Sequence, residues 1–133
     1  MLNSYQMIYL SVLAADAAPT SVSGIVRAAR TRNETRQIRS LLVFDGSYFC
    51  QYLEGSKQEI TALRDRLCGD ARHVDFRVLY EAKLEGPSEL SVRSLDYALS
   101  YEASLECFET AIGPEALRLL RTLAPTFDRV PEH

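Results

Sequence analysis

Tryptophan is absent from this 133-residue chain, and histidine is nearly so, with only His73 and His133 present. Since His133 is terminal, a Ser-His-Asp or Cys-His catalyst would have to be built around His73 alone, and the sequence reads as a protein that is not an enzyme. Cysteine is scarce as well. Cys50, Cys68 and Cys107 are odd in number, far apart and free of any C-x-x-C spacing. A disulfide framework or a metal site therefore has no support, and a reducing cytoplasm is the expected location. No lysine or arginine precedes Arg27, so the apolar stretch from Met7 to Ala15 lacks the cationic flank of a signal peptide and reads as a strand. No apolar run approaches the roughly 20 residues that a membrane-spanning helix requires, so no membrane partner is expected. A basic excess is also missing. Fifteen Lys and Arg against 18 Asp and Glu leave a net charge of −3, with the arginines dispersed, which argues against a nucleic-acid partner.

What is present is an ordinary globular balance in a chain long enough for one core, and one domain is the default. Met7 to Val12 forms a first strand, ended by small residues and Pro19. Val22, Ile25, Val26 and Ala29 then fall at helical spacing, and the helix is expected to stop near Arg30 to Asn33. Ile38–Phe44 and Ser47–Glu54 flank Asp45-Gly46, the signature of a tight antiparallel hairpin. Ser56 and Glu59 make a capping box ahead of Ile60, Leu63 and Leu67, a second helix reaching about Cys68. Asp75 to Ala82 and Leu95 to Tyr101 read as further strands on either side of Gly86-Pro87. Leu105, Phe108 and Ile112 share a helical face, and Gly113-Pro114 restarts a last helix carrying Leu117, Leu120 and Leu123. This order describes an α+β fold: a ferredoxin-like βαββαββ sheet with two helices on one face, residues 1–102, and a C-terminal two-helix cap, residues 103–133.

Three polar residues stand where apolar ones are expected. Phe49, Gln51 and Leu53 point to one face of their strand, which puts an amide between two large apolar side chains. Buried without partners, it would cost about 1–3 kcal/mol. Either something polar meets Gln51, or it bonds to backbone, water or solvent. Tyr9 shares its face with Met7 and Ser11, and its phenol reads as a core hydroxyl needing a partner. Asn33, where the first helix is expected to end, reads as a left-handed C-cap more readily than as a ligand contact.

Taken together, these positions resemble the flavin-contacting set of the BLUF family of blue-light sensors. The matching segments are Ile8-Tyr9-Leu10-Ser11, Arg32-Asn33, Phe49-Cys50-Gln51-Tyr52-Leu53-Glu54-Gly55 and Asp70-Ala71-Arg72-His73. Asn33 follows Tyr9 by 24 positions and Gln51 follows Asn33 by 18, in step with the family pattern without a gap. The resemblance covers roughly residues 6 to 101. It implies that residues 1–102 form a non-covalent site for FAD, FMN or riboflavin. Gln51 would lie between Tyr9 and the N5/C4-carbonyl edge, Asn33 at the O4/N3 edge and Arg72 at the O2 side. His73 would pack nearby or lie on the surface, while Ile25 and Leu63 would sandwich the ring or simply be core. Blue light would draw an electron and a proton from Tyr9, and the persisting change would be a rearranged hydrogen-bond pattern around Gln51.

The chain departs from the family in two places. Gln37-Ile38-Arg39-Ser40 stands where Gly-Ile-Thr-Gly is usual, so the close packing that glycine permits is expected to change. With an insertion around Glu85 to Ser91, Tyr97 and Leu99 stand at the usual Trp-x-Met of the output strand. Output is expected to pass through the C-terminal helices to a partner protein or a homo-oligomer, for want of an enzymatic domain on the chain. Two other readings remain: an assembly module of the same fold that has lost flavin, and an acylphosphatase-like hydrolase. The second lacks an arginine in a glycine-rich loop ahead of the first helix.

Overall fold

Strand alternation sorts the apolar residues onto two faces, and the protein covers both. The computed structural model describes residues 4–17, 20–88, 90 and 93–131; Pro19, Ser91 and His133, singled out above, lie outside the described residues. The elements are β1 (Ser4–Leu13), α1 (Ser21–Arg36), β2 (Arg39–Phe44), β3 (Tyr48–Ser56), α2 (Lys57–Cys68), β4 (His73–Lys83) and β5 (Asp96–Leu99). A 3-10 segment (Leu105–Thr110), α3 (Pro114–Leu123), a short 3-10 turn (Ala124–Thr126) and β6 (Asp128–Arg129) complete the chain. The sheet order is β4-β1-β3-β2-β5-β6, with β5 parallel to β2 and every other pair antiparallel.

Residues of odd register on β1 and β3, with Leu42 of β2, face α1 and α2. Met7, Tyr9 and Leu53 pack with Ile60, Leu63 and Leu67 of α2, while Leu42 and Phe49 pack with Ile25, Val26 and Ala29 of α1. The even set, Ile8, Leu10, Cys50 and Tyr52, meets Leu105, Phe108, Leu117 and Leu120 on the opposite side. The result is three layers, with the βαββαββ core and its two helices as expected and a C-terminal cap on the far face.

The local signals decide most of the turns. Gly46 takes φ 102° in the hairpin, and Asp45 Oδ1 accepts from the Ser47 and Tyr48 amides at 2.8 and 2.7 Å. Ser56 caps α2 by accepting from the Glu59 amide at 3.2 Å. The reciprocal half of the capping box is not made, because the Glu59 carboxylate accepts from Arg36 at 3.0 Å and ties α2 to α1.

Two expectations are corrected. Helix α1 does not stop at Asn33 but continues to Arg36, and the left-handed C-cap is Gln37, φ 56°, whose N–H donates to the Asn33 carbonyl. The positive φ at Gln37 is one that glycine adopts without strain, so the departure at this position bears on backbone conformation. Ile112 does not share a face with Leu105 and Phe108. That segment is 3-10, so i and i+3 eclipse, Leu105 and Phe108 are buried, and Ile112 is 71% exposed. The two-helix cap is therefore one 3-10 turn pair and one α-helix, begun at Gly113 with Pro114 in its first turn.

Candidate functional site

Tyr9 and Gln51 are direct partners in the β1–β3 register, and both side chains rise from the face covered by α1 and α2. The phenol donates to Gln51 Oε1 at 2.6 Å, while Gln51 Nε2 is buried without a partner. Burial pushes the Tyr9 phenol well above its ordinary range, with the Arg32 charge opposing, so the hydroxyl is protonated at neutral pH. Phe76 lies 4.9 Å from the Tyr9 ring by centroid and further fixes the phenol.

His73, the first residue of β4, is buried beside this pair. Its Nδ1 meets Ser11 Oγ at 2.9 Å, its ring sits 5.0 Å from Phe49, and Nε2 has no partner. Burial lowers its pKa, with Asp70 opposing. Arg72 makes a two-pronged bond to Asp70, Nε to Oδ1 at 3.1 Å and Nη2 to Oδ2 at 2.8 Å. That bond holds the Asp70 carboxyl down at about 2.

These residues line a narrow, nearly filled cleft between the two helices and the sheet, together with Ile25, Ala28, Ala29, Leu42 and Leu67. Among the residues singled out from the sequence, Tyr9, Gln51, Arg72, His73 and Ile25 are brought together on its wall. Leu63 is not on the wall but packs beneath it among Met7, Tyr9 and Leu53, and Leu67, one turn on, takes the lining position. Asn33 lies one turn beyond Ala29 on the same face of α1, fully buried. Its Nδ2 donates to Ser40 Oγ at 2.9 Å and to the Ser94 carbonyl at 2.8 Å. Because a carbonyl only accepts, this fixes the amide's orientation and leaves Oδ1 as the buried orphan. Ser40, where the family has glycine, thus holds Asn33 in place.

Tyr97 and Leu99 sit two strands away from Gln51, on β5. Gln51 is in register with Leu42, and Leu42 with Tyr97, so Tyr9, Gln51, Leu42 and Tyr97 form one row across four adjacent strands. Tyr97 is half-buried against the α1-side core.

Arg32 was missed as a site residue. It lines the cleft, its Nε is buried without a partner, and burial together with Arg66, Arg36 and Arg72 lowers its pKa against the opposing pull of Tyr9. Its signal was the spacing Ile25, Ala29, Arg32, which marks one helix face once α1 is known to continue past residue 30.

A buried polar atom left unmet costs about 1–3 kcal/mol, so this concentration of orphans argues for a ligand of complementary pattern. The unpaired groups are a donor on Gln51, an acceptor on Asn33, a donor on Arg32 and a ring nitrogen on His73. Beside an apolar wall, they fit a flat heterocycle bearing carbonyls, ring nitrogens and an N–H, as an isoalloxazine does. Among the described residues no cluster of three or more His, Cys, Asp or Glu could hold a metal ion, and no helix is long and apolar enough to cross a membrane.

Comparison with known proteins agrees with this pattern. Residues 4–88 match the BLUF family, sensors of blue-light using FAD. The chain belongs to that family and is a flavin-binding blue-light sensor. Over 70 residues, 53% of this chain, it is 31% identical to the blue light- and temperature-regulated antirepressor BluF of Escherichia coli. Over 91 residues, 66% of this chain, it is 31% identical to the photoactivated adenylate cyclase subunit beta of Euglena gracilis. The chain spans 17% and 11% of the length of these two relatives. Among solved structures, ground-state BlsA superposes with a TM-score of 0.78 at 16% identity, over 96% of this chain and 91% of that one, which shows the fold.

Proposed function

We propose that this sensor signals by turning the Gln51 amide, and that the turn is read by a partner protein or a second copy of the chain through β5 and the C-terminal cap. The observation that carries the reading is the half-satisfied amide: Oε1 is held by Tyr9 while Nε2 is buried and unpaired. A tyrosine hydroxyl both donates and accepts, so it bonds to either end of the amide. Two orientations therefore keep the Tyr9 bond and differ only in whether a donor or an acceptor faces the cleft. Such states lie close in free energy and are readily biased.

A flavin held in the cleft would supply the blue-light absorption and an electron acceptor. Tyr9 supplies the electron, and because its phenol is protonated the proton leaves with it, toward Gln51 Oε1 at 2.6 Å. Return of both to Tyr9 restores the phenol with the amide turned. Asn33 Oδ1 would accept from a ring N–H, while Arg32 and the Asp70-bound Arg72 would carry positive charge at the cleft. The row Gln51, Leu42, Tyr97 gives the turn a packed route to β5, whose Ala98 faces the cap core with Leu105 and Phe108. No residue is assigned a catalytic role, and the free cysteines suit a reducing cytoplasm.

The test is the visible spectrum of the purified protein before and after blue light. A yellow protein whose oxidised-flavin band moves to the red and recovers in the dark is expected. A colourless protein that stays so after refolding with excess FAD would overturn the reading and favour an assembly module.

A further inference from the structure

The segment that leads into β5 is fastened beside the cleft through one amide. Asn33 spends both hydrogens of Nδ2, one on Ser40 Oγ at 2.9 Å and one on the Ser94 carbonyl at 2.8 Å. Ser40 makes two further bonds to the same segment, its hydroxyl donating to the Ser94 carbonyl at 3.3 Å and its backbone N–H to the Arg93 carbonyl at 2.8 Å. Leu95 then packs, buried, with Ile25, Ala29, Leu42 and Phe49. Asp96 opens β5 immediately afterwards, in register with Leu41.

Asn33 is thereby a bridge. Its donor end is used up on the approach to β5, while its acceptor end, Oδ1, is buried and unmet. Turning this amide over would set Oδ1 against the Ser94 carbonyl, two acceptors with no proton between them, so a single orientation satisfies it. Hydrogen bonds in series polarise one another, so a stronger bond accepted at Oδ1 makes Nδ2 a stronger donor. The row Gln51, Leu42, Tyr97 reaches β5 through the apolar Leu42, whereas this path is hydrogen-bonded throughout.

We propose that Asn33, Ser40 and the Ser94 carbonyl form a second output route, which carries a change at the ring's edge to the start of β5 through hydrogen bonds. The proposal rests on the sensor reading and names the residues through which β5 is reached. A Gln51 N–H delivered to a ring carbonyl would draw density from the ring and make a neighbouring ring N–H a better donor. Asn33 Oδ1 would accept that N–H more strongly, and Nδ2 would tighten on Ser94. Ser40 is a positioning residue here, because its hydroxyl accepts from Asn33 and donates to the same carbonyl. That hydroxyl stands where glycine is usual, in a chain whose β5 has Tyr97 and Leu99 in place of the usual Trp and Met.

The test is hydrogen–deuterium exchange of the flavin-loaded full chain in the dark and under blue light, read over amides 93–99, with the visible spectrum recorded alongside. In wild type, light should slow exchange there by between about twofold and tenfold, the effect of part or all of one net hydrogen bond. Ser40→Ala should keep a light-induced red shift of wild-type size and lose at least about half of the light–dark difference in exchange. Ser40→Gly makes the same deletion if the alanine variant does not fold. A merely structural Ser40 would alter exchange equally in dark and light and leave the difference intact. No slowing at 93–99 in a wild type that shows the red shift, or an undiminished difference in the variant, overturns the proposal and leaves the sensor reading standing. Loss of the red shift in the variant also overturns it, because Ser40 would then act at the ring. A flavin-loaded wild type without any red shift overturns both.

Discussion

Gln51 stands opposite Tyr9 on neighbouring strands, bonded to it through one end of its amide and bonded to nothing through the other. This one-sided satisfaction is the feature on which the proposed mechanism rests, since turning the amide would keep a bond to Tyr9.

Replacing Tyr9 by phenylalanine keeps the ring packed on Phe76 and removes only the hydroxyl. Flavin binding should survive and the light-induced red shift should vanish. In the apoprotein Gln51 would then lose its remaining partner, so urea unfolding should register a destabilisation of about 1–3 kcal/mol. A normal photocycle in this variant would remove Tyr9 from the electron-transfer role.

Asn33 is positioned from two sides, by Ser40 and by the Ser94 carbonyl. Asn33→Ala should weaken flavin binding or shift the dark spectrum and also cost about 1–3 kcal/mol in the apoprotein. Ser40→Ala removes one of the two anchors and should shift the dark spectrum in the same direction by less. If flavin affinity and spectrum are unchanged in both, Asn33 serves only to fasten the segment around Ser94 to α1.

Gln37 holds a left-handed backbone that costs a non-glycine residue about 1–2 kcal/mol. Gln37→Gly should therefore stabilise the protein by about 0.5–1 kcal/mol, net of the glycine's greater chain entropy, without altering the flavin spectrum. Equal or lower stability would mean that the Gln37 side chain compensates the strain.

Acid should weaken the protein in two stages. His73 has a folded pKa below its ordinary 6.5, so the unfolded state takes up a proton first and stability falls as pH drops below about 6.5. Asp70 is held at about 2 against an ordinary 3.8, so its contribution is present above 3.8 and is lost as pH falls through about 2. Denaturant midpoints measured across this range should show the upper stage missing in His73→Gln and the lower stage missing in Asp70→Asn. Profiles parallel to wild type would contradict the assignment.

Where one local rule governed, the sequence was readable. Alternation on β3 placed Gln51 between Phe49 and Leu53 on a buried face, and Asp45-Gly46 gave the hairpin that brings β2 beside it. Misreadings arose where tertiary partners overrode local signals. Asn33 resembled a helix stop, but its polarity is spent on Ser94, 61 residues away, and α1 runs on beneath it. The same error hid Arg32, whose position on the cleft face is legible only in a longer helix. Ile112 fitted a 3.6-residue period that the chain abandons for a 3-10 turn, and β6, two residues long, is too short to leave any pattern. Ser40 stood out only as a missing glycine, since its bond to Asn33 depends on how α1 meets β2.

The most direct measurement is the light-minus-dark absorption difference spectrum of Gln51→Leu beside wild type, at matched flavin occupancy. Leucine fills the position but cannot bond to Tyr9 or to a ring. The variant should bind flavin through Asn33, Arg32 and Arg72, absorb at a different wavelength in the dark, and lack the normal red shift under blue light. A full wild-type shift in Gln51→Leu would contradict the account.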